Sequence, residues 1–109
     1  MHGGIPLAVA IIAEVIATLA LRESRGFTQL LPSVVVVLGY PTAFYMLSLA
    51  LRKMELGIAY AVWSGVGTAA IFLVGVILFG ESLSPLKMVS LFLIVAGILG
   101  LNVVGARPE

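Results

Sequence analysis

The sequence predicts an all-α membrane protein with four transmembrane helices per chain, and three observations predict it. First, 61% of the residues are hydrophobic and 10% are charged, against about 45–50% and about 25% in soluble domains. The mean hydropathy is +1.22. Second, the apolar residues gather into four runs, each long enough to cross hydrocarbon as a helix. Third, only a few polar residues separate consecutive runs. Strands of alternating pattern with turns about every ten residues are absent, which argues against a β-barrel. The 109 residues read as a single four-helix transmembrane domain, residues 1–109, with almost nothing outside the membrane.

The first span covers residues 5–21 and is followed by the polar break Arg22-Glu-Ser-Arg-Gly-Phe-Thr-Gln29. It lacks the basic leader of a cleaved signal and carries a glutamate in its apolar core, so it reads as a span. The second covers residues 33–51, with Pro32 near its first turn, where proline is tolerated. Pro41 inside it is expected to kink it by freeing the Val37 carbonyl. Arg52-Lys-Met-Glu55 ends that span, and the third covers residues 57–79. Gly80-Glu-Ser-Leu-Ser-Pro85 reads as a turn before the fourth, residues 88–104. Loops this short make consecutive helices antiparallel neighbours and leave no room for a soluble active site. The chain therefore reads as a non-enzyme that acts within the membrane, with no catalytic residues.

Cysteine is absent, which excludes disulfides, thiol catalysis and cysteine metal sites. The single histidine, His2, reads as a solvated terminal residue, and no metal site is expected. A net charge of +1 gives no reason to expect nucleic acid.

Orientation in a bilayer is set by Lys and Arg in short loops. Here one side carries Arg52, Lys53 and Arg107, and the other carries Arg22, Arg25 and Lys87. Three face three, so the chain has no preferred orientation. Either the balance is accidental, or copies insert both ways and pair head to tail. Four short helices enclose no pathway alone, which favours the second reading, an antiparallel dual-topology homodimer.

Glu14 is the residue that points to function. Of the acidic residues Glu14, Glu23, Glu55, Glu81 and Glu109, it alone lies inside an apolar run. A carboxylate at bilayer depth costs roughly 2.5 kcal/mol or more and is by default a functional candidate. It can bind a proton, and it can bind a cation. Ala10, Ile11, Ala17 and Thr18 share its helix face, with Leu7 and Leu21 a turn further away. Ala10, Ala17 and Thr18 are small and let another helix approach. The plainer alternative, a glutamate acting as polar glue between helices, suits it less, because few polar partners are evident.

In the third span Tyr60, Trp63, Ser64 and Gly67 share a side, and Tyr40 lies two turns into the second. Such aromatics often form an interfacial belt. Rings beside a carboxylate also make a box for an organic cation, with cation–π attraction of roughly 2 kcal/mol when desolvated. A small hydrated metal ion fits poorly without a cluster of oxygen ligands. The candidate substrate-binding residues are Leu7, Ala10, Thr18, Tyr40, Phe44, Tyr60, Trp63 and Ser64, with Glu14 binding both proton and substrate. Gly65 and Gly67 weaken the third helix by roughly 1 kcal/mol each and read as a conformational hinge. Gly57, Ala61, Gly65 and Ala69 equally form a ridge for close packing. The fourth span has no chemical groups except Asn102 near its end. Its Ser90, Ala96, Gly97 and Gly100 fit a dimer interface.

These residues resemble a known family. Ala13-Glu-Val-Ile16, Gly26-Phe-Thr28, Leu31-Pro-Ser33 and Gly57-Ile-Ala-Tyr-Ala-Val-Trp-Ser-Gly-Val-Gly67 are similar to the small multidrug resistance family, over nearly the whole chain. Ser64 after Trp63 resembles the EmrE-type quaternary ammonium branch, since the guanidinium-exporter branch typically has threonine there. Arg22, Pro41, Ala43 and Ser90 depart from the usual pattern. The resemblance implies an antiparallel homodimer that exchanges protons for aromatic or quaternary ammonium cations. It makes Glu14 the shared proton and substrate carboxyl, with Tyr40, Tyr60 and Trp63 lining the site. It places Gly65 and Gly67 at the flexible point of the third helix and Gly97 in the dimer contact. It implies multidrug efflux across a prokaryotic inner membrane, with protons as coupling ion and no cofactor. The expected partners are a second copy, the lipid bilayer and small organic cations. The alternatives are guanidinium/H⁺ export on the same fold and a non-transporting or heterodimeric partner subunit. The even charge count argues against the latter.

Overall fold

The structure is a computed structural model that describes residues 4–105. His2, Arg107 and Glu109 lie outside the described residues. Within them the chain forms four helices and no strand, and it is a multi-pass all-α membrane protein. The helices are α1 (Gly4–Glu23), α2 (Leu30–Ala50), α3 (Leu56–Phe79) and α4 (Pro85–Gly105). Each is long and apolar enough to cross a membrane. The chain divides into two compact units, residues 1–54 and 55–109, each built on one helical hairpin. In the first α1 packs on α2, and in the second α3 packs on α4.

The expected spans are all present, but three ends shift. Helix α1 runs through Arg22 and Glu23, which pair at 3.1 Å, because a helix does not stop where its apolar run stops. Helix α2 begins at Leu30, ahead of the expected 33, and holds Pro32 within its first turn. Helix α4 begins at Pro85, where a turn was expected. The Ser84 hydroxyl accepts the Lys87 N–H at 3.2 Å, and Pro85 fits the first helical position, which needs no N–H. Pro41 lies inside α2, and the helix continues through it to Ala50.

The turn between α1 and α2 is organised by Ser24, which is fully buried. Its hydroxyl donates to the Leu21 carbonyl at 2.7 Å and accepts the Phe27 N–H at 3.1 Å. Its own carbonyl accepts the N–H groups of Thr28 and Gln29 at 2.8 and 3.1 Å. These bonds hold Arg25, Gly26 and Phe27 in the left-handed region, with φ of 49°, 72° and 67°. Only the glycine adopts that conformation without cost.

The first hairpin then closes tightly at one point. A methyl group at position 39 would lie 2.8 Å from the Ala17 Cβ and 3.5 Å from the Ala13 carbonyl oxygen. Only glycine lets the backbones approach this closely. Lipid tails remove the hydrophobic drive between helices, so van der Waals contact of this kind holds the pair. Side chains from both helices are buried, among them Leu7, Ala10 and Ala17 in α1 and Val36, Ala43 and Leu47 in α2.

The second hairpin packs through glycines of α3. A side chain at Gly65 would overlap Ile98 and crowd Ile94 of α4. A side chain at Gly75 would overlap the Glu81 carboxylate, which folds back over the end of α3. Gly80, at φ 66°, ends that helix, and the Glu81 N–H returns to the Gly75 carbonyl at 3.1 Å. Helix α4 buries no residue within its membrane-spanning part.

Candidate functional site

Close approach at Gly39 sets the chemistry of the first hairpin. It brings the next residue, Tyr40, onto α1 at the level of Thr18. The Thr18 hydroxyl lies 2.6 Å from the Tyr40 hydroxyl and donates to Glu14 Oε2 at 2.6 Å. Glu14 and Thr18 are one helical turn apart, so α1 itself supplies the first bond. The second bond joins the two helices. Thr18 has a single hydroxyl hydrogen, and here it is given to the carboxylate. Tyr40 is therefore the donor of the second bond, and the order runs from Tyr40 through Thr18 to Glu14. The sequence reading gave Glu14 few polar partners, and the structure gives it one direct hydroxyl partner, Thr18, with Tyr40 behind it.

All three side chains are half-buried. A carboxylate partly removed from water, with one charge-assisted bond at Oε2, keeps acceptor capacity for a proton or a cation. No charged residue of α2 competes for it, because the described α2 carries none. The closest charges along α1, Arg22 and Glu23, satisfy each other.

The other substrate-binding candidates fall into three groups. Leu7 and Ala10 are buried, at 4% and 0% exposure, and serve as packing within this chain. Phe44 is 53% exposed, on α2. Tyr60 and Trp63 meet edge to face in α3, with ring centroids 5.6 Å apart and planes at 68°. Tyr60 is 56% exposed and Trp63 half-buried, so ring surface remains available on this helix. Ser64 is exposed and makes only a long 3.5 Å bond to the Ala61 carbonyl of its own helix. Thus Glu14, Thr18 and Tyr40 come together in one hairpin, and Tyr60 with Trp63 in the other.

Both candidate hinge glycines are buried. Gly65 receives Ile98 of α4, so the packing ridge read from the sequence is present at that position. On α4 the interface candidates Ser90, Ala96, Gly97 and Gly100 are all exposed. Among the described residues nothing lies within 4 Å of a methyl placed at Gly97 or Gly100. Asn102 donates to the Ile98 carbonyl at 2.9 Å, which spends its amide on its own helix. A groove of about 510 Å³ in this hairpin is lined by Phe72, Glu81, Lys87 and Ser90, among others. It includes none of the substrate-binding candidates.

Sequence reasoning missed Gly39 and Ser24. The first has no signal beyond being a glycine in a span. The second was signalled by Ser and Gly in a short turn between two apolar runs.

Comparisons with known proteins bear on the same residues. The family model described as Small Multidrug Resistance protein matches residues 4–94. The quaternary ammonium compound-resistance protein QacE of Escherichia coli is 49% identical over 102 residues, covering 94% of this chain and 93% of the relative. The quaternary ammonium compound-resistance protein QacF of Klebsiella aerogenes is 51% identical, with the same coverage. The multidrug resistance protein EbrB of Bacillus subtilis is 44% identical over 109 residues, covering 100% of this chain and 93% of the relative.

Proposed function

The chain belongs to the small multidrug resistance protein family, a family of resistance transporters and not of enzymes, and from that premise we propose that it is a proton-coupled exporter of lipophilic organic cations. The observation that carries the proposal is the Glu14 carboxyl, inside a helix long and apolar enough to cross a membrane, with the Thr18 hydroxyl donating to it and Tyr40 behind Thr18. One carboxylate holds a proton or a cation, but not both. That exclusion couples the two fluxes whenever the site opens to one side at a time. The proton therefore serves as coupling ion, and no other cofactor enters the cycle.

Quaternary ammonium and arylphosphonium ions are the favoured substrates. They lose little on leaving water, and the ring faces of Tyr60 and Trp63 attract them. The relatives named for resistance to quaternary ammonium compounds support the same class. Guanidinium demands hydrogen bonds. The Thr18 hydroxyl is already engaged with Glu14 and the Tyr40 hydroxyl with Thr18, and Ser64 is the main group left. Unpaired buried donors cost roughly 1–3 kcal/mol each.

The working unit we propose is an antiparallel homodimer in a bacterial inner membrane, from copies inserted in both orientations. The even split of Lys and Arg supports dual insertion, and the exposed small-residue face of α4 supports pairing through that helix. Gly65 and Gly67 would then permit α3 to change shape as access alternates.

Calorimetry with tetraphenylphosphonium and guanidinium tests the substrate class. The first is expected to bind at least about tenfold tighter, a gap of about 1.4 kcal/mol. Tighter binding of guanidinium would replace this assignment with guanidinium export on the same fold.

A further inference from the structure

We propose that Thr18 is a positioning residue whose hydroxyl reverses direction with the protonation state of Glu14, so that Tyr40 and Glu14 act as one unit. The inference rests on Glu14 being the proton and cation site. Its own observation is the pair of 2.6 Å bonds that meet at Thr18 Oγ1.

A hydroxyl has one hydrogen to give and two lone pairs to receive. When Glu14 is ionised it only accepts. Thr18 then donates to Glu14 Oε2, and Tyr40 donates to Thr18. When Glu14 carries a proton it is able to donate to Thr18 Oγ1. Thr18 is then free to turn its hydrogen to the Tyr40 oxygen, and the Tyr40 hydrogen is released from this contact. Each hydrogen stays on its own oxygen, and only the hydroxyl torsions change. Cation entry, which needs the ionised carboxylate, therefore draws both hydroxyls toward Glu14. Proton entry frees the Tyr40 donor.

Among the described residues, no other group packed against Glu14 offers to do this. Helix α2 carries no charged residue among those described, and its titratable groups are Tyr40 and Tyr45. Tyr45 is 63% exposed, more than a turn further along. On α1, Arg22 and Glu23 lie two turns from Glu14 and pair with each other.

The consequence is a shift in pH response with a definite sign. Thr18 donates to the ionised form that takes the cation, so losing its hydroxyl favours the proton over the cation at a given pH. Cation binding then begins at higher pH. The measurement is tetraphenylphosphonium binding to the full-length protein in detergent as a function of pH. Thr18→Val should move the midpoint of cation binding to higher pH, and Thr18→Ser, which keeps the hydroxyl, should restore it. Tyr40→Phe should raise the midpoint by less, because Tyr40 acts through Thr18. The double variant should match Thr18→Val alone.

A midpoint unmoved by Thr18→Val, in a protein whose unmodified form binds with clear pH dependence, overturns the relay and leaves the function standing. Full addition of the Tyr40→Phe shift on top of Thr18→Val also overturns it. Binding independent of pH in the unmodified protein removes the proton-site reading of Glu14 and the relay with it. Should Thr18→Val fail to fold, Tyr40→Phe against Thr18→Ser decides. A raised midpoint in the first and an unchanged one in the second support the relay, and no shift in Tyr40→Phe overturns it.

Discussion

The N-terminal hairpin buries side chains from both of its helices and binds them together through hydroxyls, whereas the second hairpin packs through glycines of α3 and leaves α4 almost bare. In the first, Gly39 meets Ala17, and a fixed polar sequence from Tyr40 to Glu14 spans the two helices. In the second, Ile98 lies over Gly65, while Gly97 and Gly100 face open space. Under the proposed function, the difference separates two tasks. Orienting a half-buried carboxyl needs backbones locked at close range, since an ångström of drift breaks a 2.6 Å bond. Meeting another surface needs a helix that has not already spent its small-residue face.

The sharpest way to break the comparison is to pry the first hairpin open. Gly39→Leu forces a branched side chain against Ala17 and the Ala13 carbonyl. The expected cost is about 1–3 kcal/mol of stability, with loss of transport as Tyr40 leaves Thr18. Denaturant titration in detergent beside a transport assay measures both. Unchanged stability would mean that the helices are not held at this point.

Gly97→Leu tests the second hairpin in the opposite sense. No atom among the described residues obstructs that position, so the chain's own stability should not fall and should gain up to about 1 kcal/mol from helix propensity. Chemical crosslinking should nevertheless lose the dimer, and transport should fall with it. A crosslinked dimer of normal yield would relocate the interface away from this face of α4.

A smaller effect is expected at the turn that closes the first hairpin. Ser24→Ala removes the acceptor of the Phe27 N–H and the donor to Leu21. The expected loss is about 1 kcal/mol, read as a lower midpoint of unfolding with near-normal substrate affinity. A large loss of affinity would show that the turn governs the site as well as the hairpin.

The four spans were legible because length and hydropathy alone decide them, and α3 came within one residue of its expected start. The ends were less legible. Arg22 and Glu23 are polar yet helical, since the peptide bonds of α1 continue past the apolar run. Pro85 reads as turn or as helix start, and the Ser84 cap settles which. Glu14 stood out because its charge contradicts its surroundings, and Thr18 because it lies one turn away on the same face. Tyr40 was visible as an aromatic within a span, but its bond to Thr18 joins residues 22 apart in sequence. That pairing depends on the register of α1 against α2, which Gly39 fixes and no periodicity reveals. The open face of α4 was legible as a row of small residues.

The central claim is that one carboxyl serves proton and cation in turn, and proton release reports it directly. Tetraphenylphosphonium is added to the detergent-solubilised protein in weak buffer, and the pH change is read for the unmodified chain and Glu14→Gln side by side. The unmodified protein is expected to release protons in proportion to the cation bound, and Glu14→Gln to release none. Equal release from both, or binding by the unmodified protein with no release, would contradict the account.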